Sequence, residues 1–151
     1  MNDISLKLAT KTDAPVILGF LQKLAGNLGK DNYFKGSVAA LEQFGFGEQP
    51  AFEAVIAYHG QNPVGLILYF DEFSTWRCSP GIYIQDLYVD ASMRGQGLGK
   101  LLIHAAAEKG HERQATYLRL SVDAGNTSGL EFYTAMGFEH KHEEKMLMLN
   151  I

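Results

Sequence analysis

The sequence has 151 residues, enough for one domain with a sizeable core, and its 46% hydrophobic content is that of an ordinary globular chain. A formal net charge of -4 gives no long-range attraction to nucleic acid or anionic lipid, and the longest apolar runs, such as residues 64–70, fall far short of the ~18 residues a membrane span needs. Cys78 is the only cysteine, which excludes an internal disulfide framework; with Asp3, Ser5 and Lys7 interrupting any apolar leader, the expected setting is the cytoplasm.

Residues 5–9 alternate polar and apolar, the pattern of a half-buried strand. Thr12 offers a hydroxyl cap, Asp13 suits a helix N-terminus and Pro15 is tolerated in a first turn; with Val16, Phe20, Leu21 and Leu24 at helical spacing, a helix is predicted over about 13–25. Residues 26–36 are a loop by composition, and Ser37 caps a second short helix through Leu41 to Phe44, ended by Gly45 and Gly47. From Phe52 the period becomes that of a meander. Residues 52–58 and 64–73 form a hairpin turning at 59–63, and a second turn over 75–81 leads to a strand over 82–89.

After that strand comes Arg94-Gly95-Gln96-Gly97-Leu98-Gly99-Lys100, then a helix to about Glu112 with Leu98, Leu101, Leu102, Ala105 and Ala106 as its apolar stripe. Residues 117–122 form another strand and Ala124-Gly125-Asn126-Thr127 a turn. Residues 128–136 form a short helix closed by Gly137, and residues 138–150 a final two-strand hairpin turning near His142-Glu143-Glu144. The sum is one α/β domain over 1–151: a mixed central sheet of about six to seven strands flanked by about four helices.

Alternate glycines at the mouth of a helix let backbone approach a ligand, and the unpaired N–H groups of the helix start aim into the same turn, a grip for phosphate. The spacing is neither of the two best-known phosphate loops. In the frame of a Walker A loop, Arg94 holds the first glycine position and Leu101 replaces the hydroxyl residue; a dinucleotide fingerprint needs different glycine spacing after the first strand of the fold. Arg94 and Lys100 read as phosphate contacts.

The order of elements, with Leu87-Tyr88-Val89 before the glycine loop and Asn126, Phe132-Tyr133 and Met136-Gly137-Phe138 after it, resembles the GNAT superfamily of N-acetyltransferases over nearly the whole chain. Phe44-Gly45-Phe46-Gly47-Glu48, Val64-Gly65, Trp76 and the segment from Asn126 to Tyr133 are similar to its diamine branch, the spermidine/spermine and thialysine acetyltransferases. The resemblance implies acetyl-CoA as co-substrate, with its pyrophosphate on Arg94 through Lys100 (Gly95, Gln96, Gly97, Leu98 and Gly99 included) and its pantetheine arm on the backbone of Leu87, Tyr88 and Val89. It also implies further contact from Asn126, Tyr133 as proton donor to the departing thiolate, a primary amine of a small molecule as acceptor, no metal, and a homodimer. The branch carries Glu-Asp where this chain has Gln85-Asp86, and Gln85 has no titratable proton acceptor. Three routes for the amine proton stay open: Asp86 through water, another carboxylate such as Glu72, or no dedicated base. Asp86 lies on the opposite strand face from Gln85 unless a bulge re-aims it. An acetyltransferase for protein termini or lysines, or a non-catalytic acyl-CoA-binding module, are the rival readings.

The remaining notable residues have structural explanations. His140 and His142 share a face at i, i+2 without a third ligand at motif spacing, and His104 and His111 read as helix-surface residues. Tyr69, Phe73 and Trp76 could wall an alkyl chain, but aromatic residues in strands are more often core. Met146 through Ile151 reads as a strand covered on both faces, by the core or by a partner.

Overall fold

The computed structural model describes residues 3–151 and divides into two compact units, the first ending at Ser121 and the second being Val122–Ile151. In the first unit β1 (Ile4–Leu8), β2 (Glu53–His59), β3 (Asn62–Ser74), β4 (Ser79–Val89) and β5 (Leu118–Leu120) form one sheet in that spatial order. The first four pair antiparallel and β4 with β5 parallel, as a crossover through a helix requires. That crossover is α3 (Leu98–Glu112); α1 (Ala14–Asn27) and α2 (Val38–Gly45) lie between β1 and β2 in sequence. Among the described residues no helix is long and apolar enough to cross a membrane.

The two faces of the sheet are covered by different helices. Ile17 and Phe20 of α1 join Ala54, Ile56, Leu66, Leu68 and Tyr88 in one buried cluster. Gly65 precedes Leu66 and so faces the other way; a Cβ there would stand 3.1 Å from the Tyr88 carbonyl and 3.3–3.4 Å from Leu102 and Leu98, which places α3 hard against the opposite face. The buried stripe of α3 is Leu98, Leu102, Ile103, Ala106 and Gly110. Leu101, expected in it, is exposed instead, because contact with β3 through Gly65 sets the rotation of the helix.

Boundaries mostly fall within two residues of the predicted ones. The cap before α1 lies earlier than expected: the Thr10 N–H donates to Asp13 Oδ2 at 2.7 Å across a short 3-10 turn, while Thr12 shares a hydroxyl bond with Thr10. Ser37 caps α2 as predicted, accepting from Ala40 N at 3.1 Å. The β2–β3 turn is tighter than expected, with Gly60 at positive φ and Pro63 already paired to Tyr58. Tyr69 is fully buried, but Phe73 and Trp76 are exposed at the far end of the β3–β4 hairpin, correcting their reading as core.

The second unit contains α4 (Thr127–Ala135), capped by Asn126, whose side-chain oxygen accepts from Gly129 N at 3.0 Å. Gly137, at φ 104°, closes it. The predicted hairpin over 138–150 is absent among the described residues, so the sheet has five strands rather than six or seven, and Met146 through Leu149 are exposed rather than covered. A lone two-stranded hairpin is marginal, and His142-Glu143-Glu144-Lys145 contains none of the glycine, asparagine or aspartate that the tight turns closing one favour.

Candidate active site

β4 and β5 are partners for only a short distance. Ile82, Tyr83 and Ile84 pair with Leu118, Arg119 and Leu120; beyond Ile84, β4 runs on to Val89 beside β3 alone. The Ile82 N–H donates to Tyr117 O at 3.1 Å, toward β5, whereas the Asp90 N–H donates to Val64 O at 2.9 Å, toward β3. Counting back from Asp90 by alternation, the backbone groups of Val89 and Leu87 point away from β3, to the edge that β5 has left. The Val89 carbonyl on that edge accepts from Arg94 Nε at 3.0 Å. An extended ligand with amide groups finds a ready backbone edge there. Tyr88, expected on the same edge, does not reach it: by the same alternation its backbone groups point toward β3, and its ring is buried 5.4 Å from that of Phe20.

A bulge interrupts β4 where it leaves β5. Leu68 faces Asp86 but its neighbour Tyr69 faces Ile84, so Gln85 is the extra residue, and it is exposed. This is the re-aiming that strict alternation would have excluded. Reading faces from the regular strand β3, Asp86 opposite Leu68 lies on the α1 face, together with Phe70 and its partner Tyr83. The Asp86 carboxyl is half-buried, has no ion-pair or hydrogen-bond partner among the described residues, and is pushed up to about 6 by burial. Glu72, the alternative carboxylate, is committed elsewhere: Arg119 holds it through Nε at 2.9 Å and Nη2 at 2.8 Å, and Tyr117 Oη donates at 2.9 Å. Those bonds, Arg119's foremost, keep Glu72 below the usual carboxylate range.

At the end of β4 a short turn, Ala91–Met93, leads into the glycine segment. Gly95 and Gly97 stand at φ 77° and 85°, a conformation that side chains with Cβ adopt at a cost. Gly97 is the N-cap of α3 and brings no side chain to it, so the N–H groups of Leu98, Gly99 and Lys100 open outward; the first helical bond is Leu101 N to Gly97 O at 3.1 Å. No acidic residue sits in this first turn, while Arg94 and Lys100 are exposed beside it. Two cations at the positive end of a helix are matched by an anion, not by each other. The Leu98 side chain is core, so only its N–H is available. Gln96 Nε2 donates to Ser92 O at 3.4 Å, closing the turn on itself.

In the second unit Asn126 spends its side-chain oxygen on the α4 cap. The Tyr133 ring packs edge-on to Phe132 and Phe138, at 5.2 and 5.5 Å between centroids. The His140 and His142 rings lie 3.8 Å apart, and no three potential ligands are grouped to hold a metal among the described residues.

Arg119, Tyr83 and Phe70 were not singled out by sequence reasoning. Arg119 is a lone charge between two half-buried leucines in the shortest strand, and its guanidinium lies 4.7 Å from the Tyr83 ring centroid. Tyr83 in turn stacks on Phe70 at 5.2 Å. The one available signal was the alternation Leu118-Arg119-Leu120, which assigns Arg119 to the face opposite the leucines.

The profile of the acetyltransferase (GNAT) family matches residues 23–138 of this chain. A thialysine N-epsilon-acetyltransferase of Bos taurus is 32% identical over 142 residues, covering 89% of this chain and 83% of that one. Its counterpart in Sus scrofa is 31% identical over 145 residues, covering 91% and 85%. Among solved structures, an aminoglycoside acetyltransferase from an uncultured soil metagenomic sample, crystallised with sisomicin, superposes with a TM-score of 0.81 at 19% identity, over 99% of this chain and 97% of that one.

Proposed function

The chain belongs to the GNAT acetyltransferase family, and we propose that it transfers the acetyl group of acetyl-CoA to the primary amine of a small molecule, a diamine, polyamine or lysine-like compound. The observation that carries this reading is the course of β4, which parts from β5 after Ile84 and runs on into the glycine turn with the edge that β5 has left facing no strand among the described residues. Thialysine in the names of the two mammalian relatives supports an amine with a lysine-like side chain.

In the proposed reaction the pyrophosphate of acetyl-CoA lies on the N–H groups of Leu98 to Lys100, with Arg94 and Lys100 supplying charge. The pantetheine arm follows the edge of Leu87 and Val89, and the Leu87 N–H polarises the thioester carbonyl. The amine nitrogen attacks the carbonyl carbon, the new C–N bond forms and the C–S bond breaks. Asp86 takes the amine proton, directly or through one water. Its support is twofold: a bulge sets it apart from the regular ladder, and burial brings it into the range of a base that works near neutrality. Glu72, tied to Arg119, is a poor rival. Gln85 is the other acceptor-side residue, as a hydrogen-bonding group only. Tyr133 returns a proton to the thiolate, a role resting on its place in the family pattern. Asn126 is proposed to touch the co-substrate while capping α4.

The same proposal includes a cytoplasmic homodimer, for which the exposed apolar residues Met146 through Leu149 offer surface; light scattering tests it. The activity is tested by incubating the purified chain with acetyl-CoA and a panel of amines while titrating released thiol. Thiol release that depends on an amine is the expected result; its absence across diamines, polyamines and lysine analogues counts against the reading.

A further inference from the structure

Resting on the transferase reading above, we propose that Arg119 binds a carboxylate of the acceptor, so that the preferred acceptors are amino acids with a distal amine and not their purely cationic analogues. The guanidinium has five N–H donors and two edges able to grip a carboxylate. Glu72 takes the edge formed by Nε and Nη2, and among the described residues no other side chain accepts a hydrogen bond from Arg119. The other edge, Nη1 with the second hydrogen of Nη2, remains, on a side chain that is 55% exposed.

Its orientation is held from two directions. The Tyr83 ring supports the guanidinium plane at 4.7 Å, and Glu72 is itself anchored by the Tyr117 hydroxyl at 2.9 Å. Holding a planar fork still before binding removes much of the ordering cost of recognition. The register assigns Arg119, Tyr83, Phe70 and Asp86 to one face of the sheet. Across the bulge Tyr83 lies opposite Phe70 and Asp86 opposite Leu68, two residues apart on β3 and so roughly 7 Å along the sheet. That separation suits a lysine-like chain whose distal amine lies at Asp86 and whose carboxylate lies at Arg119, with its methylenes along the Phe70–Tyr83 ring pair.

The charge balance opposes a polyamine at the same place. Both oxygens of Glu72 are taken by Arg119, so a second ammonium arriving here meets a guanidinium and no free carboxylate.

The test compares L-lysine with L-lysinamide, which keeps both amines and loses only the carboxylate charge. Binding is measured by calorimetry on the chain saturated with CoA, and turnover by thiol release with acetyl-CoA. A charge-assisted pair with one free guanidinium edge predicts a preference for lysine of about tenfold in Kd and in kcat/KM. The double variant Glu72→Gln/Arg119→Gln, which strands neither charge, is expected to abolish that preference; its melting curve reports folding. Equal binding of the two compounds by the natural chain, or a folded double variant that keeps the preference, overturns the role of Arg119 while leaving the transferase reading intact. A tenfold preference in binding with no amine-dependent thiol release from any acceptor does the reverse: it upholds the carboxylate site and refutes the transferase.

Discussion

Replacing Asp86 by asparagine should stabilise the protein while disabling it. The carboxyl is half-buried at the β4 bulge, no described residue pairs with it, and burial alone raises it from 3.8 to about 6. The folded state therefore favours the protonated form, by about 3 kcal/mol as an upper value. Because the folded value lies above the unfolded one, this stabilisation is fully present below about pH 4 and is lost as pH rises through about 6. An asparagine has nothing to lose. Asp86→Asn should melt at the same temperature as the parent near pH 4 and up to about 6–12 °C higher at pH 8, taking about 2–4 °C per kcal/mol for a chain of this size. Over the same range the parent's kcat/KM should rise with an inflection near pH 6, and the variant should lose that inflection and about 10²- to 10⁴-fold in rate. Scanning calorimetry at the two pH values and thiol-release kinetics across them provide the assay. A melting difference that does not change with pH refutes the burial argument; full activity in the variant refutes the base.

Gly97→Ala places a Cβ at φ 85°, so about 1–2 kcal/mol of stability should be lost in a denaturant titration, with weaker CoA binding because the N–H groups of the α3 start move with it. Tyr133→Phe should lower kcat far more than it weakens CoA binding; unchanged turnover removes the tyrosine from the mechanism. Arg113→Met should cost about 1–2 kcal/mol in urea unfolding, since Arg113 joins Glu53 of β2 to Asp71 of β3 and the buried Tyr69 hydroxyl donates to Glu53 at 3.1 Å. The loss is smaller than for a fully buried pair because these side chains keep contact with water.

The glycine turn and its setting were legible in the sequence because local chemistry decides them. Gly95 and Gly97 permit left-handed backbone, Leu98 begins an apolar stripe, and the strand before and the helix after follow from their periods alone. Ser37 was readable as a cap for the same reason, and Asn126 caps α4 by the same chemistry: a short polar side chain at a helix start satisfies N–H groups within three residues. Prediction failed where a long-range partner was needed. Residues 138–150 end in the apolar run Met146-Leu147-Met148-Leu149, which suggests a strand covered on both faces, yet the structure gives it no strand to join. Trp76 and Phe73 have the composition of core and lie beyond the helices that would have covered them.

The surroundings of Gln85, Asp86, Glu72 and Arg119 were decided almost wholly by tertiary structure. Alternation read from the sequence assigns Gln85 and Asp86 to opposite faces and stops there; only pairing with β3 reveals that Gln85 is supernumerary and that Asp86 shares a face with Phe70 and Tyr83. Glu72 and Arg119 are 47 residues apart, and no local rule couples them. By itself, then, the sequence determined the glycine turn, because a left-handed backbone and an open helix start depend on residues next to one another. The choice among carboxylates, and the arginine beside them, came only with the folded sheet, because burial and charge pairing depend on which strands become neighbours.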